Sequence, residues 1–494
     1  MTLGVARRWL GRLPLVVAAL AVVGFYVGFG LHYHRTAMMA PDESFYTVAA
    51  ARVMEGEVPY RDFAYTQTPI YPYIDGALMS VFGFSMASHR AINVVWGAVG
   101  LAVLVFAVRR RTGKWEPALL TGFLLAASPR WMSLQAMGVW CGPTGAFLNA
   151  ALAAVIIEGR FWPRLMAFAV FGTVATGCRL SCAPVVAVLF AAMAFEAGGW
   201  RRASAALGAC LAVAALSFGP FFLADPSNFV FHVWGYHMGA AFERNFEAQA
   251  MQWWNVAPAA LVALAVGAMG VARHARERRV KELFLLAAGI VGVVTPMIPS
   301  SAWGVYIAAG APIAAAAGVV SFWAAGGGRS PLRFAAWSLP ALSLLVYLPI
   351  EVPEGAAAEV EQVAAFVRNE VEAGPLMTPA GIVAVEAGRG LIPGTEMGTF
   401  SAMSPDREEE ARRRKMTTLP GLTESLERGE PAAVVKMIDP PPWRVWNWRW
   451  VLPSLDDQPV DEIHAFEDTL SECYEPVMNT STMEVHVLRE TLDL

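Results

Sequence analysis

Two adjacent carboxylates, Asp42 and Glu43, stand soon after the first apolar run of the chain, in MAPDESFYTVAARVMEG. Consecutive helix residues point about 100° apart. One of the pair can therefore face a cavity and work on a proton while the other caps or pairs. The competing reading is an ordinary helix start, since acidic side chains suit a first turn. Arg179 lies near the end of a short apolar run, where a charge is costly unless it is used or paired. His232, His237 and Arg244 share an aromatic-rich stretch, about 224–255. Arg61–Asp62 reads as a local ion pair. WRVWNWRW (Trp443 to Trp450) alternates Trp and Arg. It reads as a sugar- or headgroup-stacking strip or as a strand packed on the protein. Arg412–Lys415 after Glu408–Glu410 reads as a solvated, salt-bridged helix. There is no GxGxxG, P-loop or HExxH, so a nucleotide-sugar site of the Rossmann kind has no support. No convincing metal-ligand set is present either, and a divalent metal stays unsupported. Cys178 and Cys182 share a helix face, where two thiols in an apolar run read as small packing residues.

The elements that must position these residues follow from composition. The chain has 494 residues, 56% hydrophobic and 16% charged, with a formal net charge of −4. Soluble chains carry about 25% charged residues. The net charge gives no reason to expect nucleic acid as a partner. Residues 1–350 hold 25 basic and 14 acidic groups, whereas 351–494 hold 12 and 27. The first part is too apolar to be solvated all round, and the second is ordinary soluble sequence. This excludes a simple cytosolic enzyme, a disordered chain and a disulfide scaffold.

Apolar runs predict eleven spans, at about 13–31, 87–108, 116–134, 139–158, 165–178, 181–197, 203–223, 256–272, 283–299, 302–324 and 333–350. The pair around Gly177 and Pro184 also reads as two short helices meeting at a polar break. With the N-terminus in the cytoplasm, 18 of the 25 basic residues of this part fall inside, as the positive-inside rule requires. Residues 351–494 then lie on the outer face, periplasmic or extracellular. The protein is predicted to be a multi-pass protein of the plasma (inner) membrane. Two outer loops are long, about 32–86 and 224–255. The first should hold a helix from Asp42 that Gly56 can stop, then a second, PIYPYIDGALMSVFGF, lying on the bilayer. The tail reads as α/β: AAEVEQVAAFVRNEVEAG is an amphipathic helix, PLMTPA, AAVVKMI and MEVHVLRE are strands, and PDREEEARRRKMTTLPGLTESLERGE is helical and charged. The fold class is thus mainly α, polytopic, with a C-terminal α/β domain.

The stretch MAPDESFYTVAARVMEGEVPYRDFAYTQTPIYPYI resembles the first outer loop of the GT-C superfamily of membrane glycosyltransferases. It is most similar to the bacterial group of the protein O-mannosyltransferases and the aminoarabinose transferase. That group shows a D-E pair, an E-G-x-x-P-Y-x-D-F-like stretch and a K/Q-P-P-L-Y-Y-like run. SSAWGVYIAAGAPIAAAAGV resembles the late span with a Tyr and a Pro, here Tyr306 and Pro312. ATGCRLSCAPV resembles a short span bearing an outer Arg, here Arg179. VAVEAGRGLIPGTEMGTFSAM and LERGEPAAVV are similar to members of the same broad group, so the resemblance runs over nearly the whole chain.

The resemblance implies a GT-C-like domain over 1–350 and an outer domain over 351–494. It implies an inverting transfer of a sugar from a polyprenyl-phosphate carrier to a hydroxyl of an outer-face glycan, lipid or protein, at the surface of the lipid bilayer. Asp42 is carried over as the base, with Glu43 as the alternative or as a helper that orients it. Arg179 is the candidate cation for the lipid phosphate, with a salt bridge as the competing reading; His237 and Arg244, on the second long loop, can close over the same cavity or serve as surface and packing groups; Tyr306 can donate a hydrogen bond to the phosphate or anchor the helix at the membrane surface. Relatives often place Lys before a Pro pair; here Gln67 and Thr68 occupy those positions. That departure weakens a direct Lys–phosphate contact and leaves the donor open. Two rivals share the layout: a polytopic transporter and a non-catalytic membrane subunit of envelope glycan assembly. A transporter would favour midplane polar groups and repeated halves, whereas the polar residues here gather in outer loops.

Overall fold

The computed structural model describes residues 13–36, 39–136, 138, 142–239, 253–254, 256–297, 307–326, 356–438 and 460–489. The chain divides into two compact units. The first comprises Met1–Tyr33, Asn93–Gly219 and Gly239–Glu351. The second gathers three segments remote in sequence: His34–Ile92, Pro220–Met238 and Val352–Leu494.

The described part of the first unit is helical. Helices stand at ten of the eleven expected spans, and 333–350 lies outside the described residues. Among the described residues, three helices are long and apolar enough to cross a membrane by length and composition: Met86–Thr112, Trp200–Ala224 and Ile307–Ala324. Shorter apolar helices include Trp115–Ala126, Gly142–Ile156 and Pro258–Ala268. The expected run 116–134 divides in two, because Pro129 opens a new helix, Pro129–Ala136, and the residue before a proline avoids helical geometry. The region of Gly177 and Pro184 is two helices. Phe161–Cys178 ends at Arg179, which is extended (φ −155°), and Ala183–Glu196 begins with Pro184 in its first turn.

Two of the long helices occupy opposite environments. In Ile307–Ala324, 94% of the residues are buried, against 6% in the most apolar 18 residues of Trp200–Ala224. The first is mostly Ala and Gly, with its aromatic side chains, Phe322 and Trp323, confined to the last turn. It packs against Pro258–Ala268, Val280–Val294, Trp115–Ala126 and Gly142–Ile156. Contact is backbone to backbone: a methyl on Gly318 would overlap the Ala263 carbonyl, and one on Gly310 the Gly292 carbonyl. Such small-residue contacts hold helices together where apolar burial gives little drive. Trp200–Ala224 instead exposes Leu207, Leu211, Leu216 and Leu223, a row that water would penalise and hydrocarbon would accept.

The second unit mixes helices with a sheet. The first loop holds the two expected helices, Pro41–Met54 and Ile70–Phe82. They touch at Gly76, where a Cβ would lie 2.7 Å from the Ala50 carbonyl oxygen. Gly56 follows the first helix with φ +92°, a conformation open to glycine. The tail adds Ala356–Glu370 and a four-stranded sheet of order β1-β4-β6-β5. Its strands are β1 Leu376–Met377, β4 Ala433–Met437, β5 Tyr474–Asn479 and β6 Met483–Leu488, with β2 Ala402–Met403 and β3 Thr417–Thr418 forming a separate pair. β1 and β4 run parallel, and β4, β6 and β5 antiparallel. β5 is an edge, so Pro476 and the bulge beside it are tolerated. The expected charged helix around 405–430 is interrupted. Glu408–Arg413 stops, β3 intervenes, and Thr418 caps Leu419–Glu427 by accepting from the Gly421 N–H at 3.2 Å. A threonine cap followed by Pro420 is a strong helix start, and here it outweighs continuation. Val48 and Met86 share one core with Val363, Leu376, Val435 and Val485 of the tail.

Replacing Gly318 with Leu should cost about 1–3 kcal/mol or more through overpacking and lower the melting temperature of the detergent-purified protein. Gly208→Ala, at a position with open space around it, should be neutral or stabilising by up to about 1 kcal/mol. Equal melting temperatures for the two variants would contradict the packing described.

Candidate active site

Pro41–Met54 begins with Ala40 as its N-cap and Pro41 in its first turn. Alanine has no side-chain acceptor, so the cap works in one direction: the Glu43 Oε2 accepts from the Ala40 N–H at 2.9 Å. The same carboxylate meets Arg90. Arg90 Nε donates to Oε1 at 2.6 Å and Nη2 to Oε2 at 2.8 Å, and both side chains are fully buried. Glu43 is thus a structural acid on three donors. Asp42, one position earlier and about 100° round the helix, is only partly buried. The two carboxylates do divide between surroundings.

His89, next to Arg90 on Met86–Thr112, holds a second buried acid. Its Nδ1 lies 2.8 Å from Asp75 Oδ2, with neither side chain exposed. Asp75 comes from Ile70–Phe82. Two consecutive residues of one helix therefore grip carboxylates from both helices of the first loop. Sequence reading missed Arg90, His89 and Asp75. The available signal was the pair of polar residues at the head of an apolar helix, which needs partners to be affordable.

The remaining expected residues fall in different places. The Gln67 carbonyl accepts from the Tyr60 hydroxyl at 2.6 Å. One residue earlier, the Thr66 carbonyl accepts from His237 Nε2 at 2.6 Å. The structure thus brings Gln67 and His237 to the same turn of the first loop. Tyr60 is fully buried, in left-handed backbone (φ 72°), and stacks on His232 with ring centroids 6.2 Å apart. Burial raises its hydroxyl well above the usual range. Arg61 pairs with Asp62 at 2.7 Å, as the sequence predicts, which holds Asp62 below its ordinary value. Arg179 belongs to the first unit, where its side chain is 3% exposed. Arg244, Tyr306 and Trp443 to Trp450 lie outside the described residues.

The basic run Arg412–Lys415 is only partly solvated, a correction to its reading as a surface helix. Arg412 pairs with Glu408 on the surface. Arg414 turns inward, donates to Ser227 Oγ at 2.8 Å and Asn228 Oδ1 at 3.0 Å, and lies 4.4 Å over the Phe231 ring. Beside it, His232 Nε2 donates to the Arg414 carbonyl at 2.9 Å. A carbonyl can only accept, so the Nε2 of His232 carries a proton. Burial pushes its pKa down from 6.5 to about 4. The tail also reaches the first-loop helix: the Ile382 N–H donates to Ser44 Oγ at 3.0 Å, and Arg52 meets Glu396 at 3.1 Å. Burial raises the Glu396 carboxyl. Among the described residues no group of three or more His, Cys, Asp or Glu is placed to hold a metal ion.

No protein-family model matches the sequence, and no curated protein is significantly similar to it. Solved structures do match. ArnT from Cupriavidus metallidurans in the apo state superposes with a TM-score of 0.61 at 14% identity, over 98% of this chain and 98% of that one. The same protein bound to undecaprenyl phosphate gives 0.62 at 14% identity, over 97% and 98%. The oligosaccharyltransferase AglB from Archaeoglobus fulgidus, in complex with an inhibitory peptide and a dolichol-phosphate, gives 0.50 at 12% identity, over 84% and 69%. The chain shares the fold of these solved structures.

Arg90→Met should destabilise the protein by about 3–5 kcal/mol, the cost of leaving a buried carboxylate unpaired, read as a loss of folded yield or melting temperature. The His232 site sets a pH response. Above pH 6.5 neither the folded nor the unfolded state holds the proton, and between pH 6.5 and 4 only the unfolded chain binds it. Stability should therefore fall on acidification through that window, by on the order of 3 kcal/mol, and His232→Gln should flatten the slope measured by thermal unfolding between pH 7 and 4.

Proposed function

We propose that the protein is an inverting glycosyltransferase that moves a sugar from a polyprenyl-phosphate carrier to a hydroxyl of an outer-face glycan, lipid or protein. The fold match over the whole chain supports the class, and a neighbour of this fold holds undecaprenyl phosphate. One observation carries the mechanism. Of two adjacent carboxylates at a helix start, Glu43 is locked by Arg90 while Asp42 keeps access to solvent. Asp42 is then the base. It takes the proton of the acceptor hydroxyl as the oxygen bonds to the anomeric carbon, and it stabilises positive charge on the sugar. The bond from that carbon to the phosphate oxygen breaks, and the lipid phosphate leaves with the bonding pair. Glu43 orients Asp42 by fixing the first turn. Arg179, Arg244, His237 and Tyr306 are the proposed phosphate partners, with Gln67 contributing an amide where relatives carry Lys. A leaving group anchored in lipid requires a site at the interface, with the N-terminus in the cytoplasm and residues 351–494 outside.

The Gln67–Thr68 departure favours one rival, a subunit that keeps the fold without turnover. The two are separated by a cell-envelope glycan and lipid comparison of the gene deletion complemented with wild type or Asp42→Asn. A transferase using this base should lose at least about 100-fold of its transfer in the variant, with unchanged protein level in the membrane. Full complementation by Asp42→Asn would refute the base and leave the scaffold.

A further inference from the structure

The first unit contains a cavity of about 580 Å³ with no part in the proposed transfer. Its walls carry Arg111, Glu196, Arg278, Arg279, Lys281 and Glu282. Four cations thus face two carboxylates, and the carboxylates are already covered. Glu282 pairs with Arg111, and Glu196 is shared by Arg164 at 2.6 Å and Lys281 at 2.9 Å. Arg279 meets Glu277 at 2.6 Å. Arg278 makes no side-chain ion pair or hydrogen bond among the described residues. Its backbone sits at φ 53°, where glycine or asparagine is the easier choice, so the position keeps an arginine at some backbone cost. The cavity therefore presents an uncompensated positive charge.

The surroundings say which anion this suits. Phe195 lines the cavity, is 62% exposed and packs against Phe284 with centroids 6.1 Å apart. Trp200 is 75% exposed, with Arg201 5.7 Å from its ring centroid. Exposed aromatics beside arginines are the pattern of a helix bundle at headgroup depth. We infer that this cavity binds the phosphodiester headgroup of one anionic bilayer phospholipid, with Arg278 as its principal cation and the acyl chains running past Phe195. Basic pockets between membrane helices hold such headgroups, and the volume falls within the range of ligand pockets. The inference requires that the first unit lie in a bilayer and is independent of the transferase reading.

The test uses the full chain in nanodiscs of phosphatidylcholine with and without phosphatidylglycerol, with lipids retained after release counted by native mass spectrometry. Wild type should retain one phosphatidylglycerol in preference to phosphatidylcholine. Arg278→Gln should weaken retention about fivefold, the effect of one basic residue, at unchanged melting temperature. Arg110→Gln, an exposed cation in the last turn of Met86–Thr112 that does not line the cavity, should leave retention unchanged. Equal retention of the two lipids, or equal loss in both variants, would overturn the site. Inorganic phosphate added to detergent-solubilised protein is the second arm: Arg278-dependent binding there, without phosphatidylglycerol retention in nanodiscs, would overturn the lipid assignment in favour of a soluble phosphate.

Discussion

The buried ion pair of Glu43 and Arg90 constrains the second unit more than any other contact, because moving two charges out of water costs several kcal/mol per ion and is offset only by near-ideal geometry. Here the geometry is present. Two guanidinium donors meet two carboxylate oxygens, and the Ala40 amide adds a third bond. The pair ties the start of Pro41–Met54 to the head of Met86–Thr112. Once Arg90 is placed, His89 is placed too, one helical step round, and it takes Asp75 from Ile70–Phe82. Three helices then have little freedom to slide, and the first turn that carries Asp42 is held still.

The tail and the second loop are built onto that frame. Ser44, one residue beyond Glu43, accepts from the Ile382 amide, and a Cβ on Gly381 would meet the Val48 side chain. On the second loop, Asn228 donates to the carbonyls of both Tyr60 and Arg413, while Arg414 covers Phe231. Segments more than a hundred residues apart are joined by polar contacts whose groups are otherwise buried, and such groups are costly to leave unpaired. A loop of this length would be a liability if free. Here Val48 of its first helix shares a core with the tail.

The first unit solves a different problem. Its helices gain little from apolar burial if lipid is the alternative, so they meet through glycine and alanine backbones around Ile307–Ala324. Some of its polar contacts run from helix to helix. Trp131 Nε1 donates to the Ala308 carbonyl at 2.9 Å and Asn149 Nδ2 to the Gly100 carbonyl at 3.1 Å, fixing helix against helix.

Much of this was legible in residue order. Apolar runs marked the helices and the PDES start marked Pro41–Met54, because hydropathy and helix-start chemistry act over a few neighbouring residues. The β5 strand escaped notice because Pro476 disguises an edge strand, and Val460–Cys473 escaped despite apolar spacing at Ile463, Phe466 and Leu470. That Asp42 and Glu43 should part company followed from helix geometry by itself. Which of them would be locked did not, since the partner, Arg90, lies 47 positions away. Local chemistry wrote the elements; the choice of ion-pair partners, and the gathering of loop 32–86, residues 220–238 and the tail into one unit, came from the need of each buried charge to find its counterpart in space.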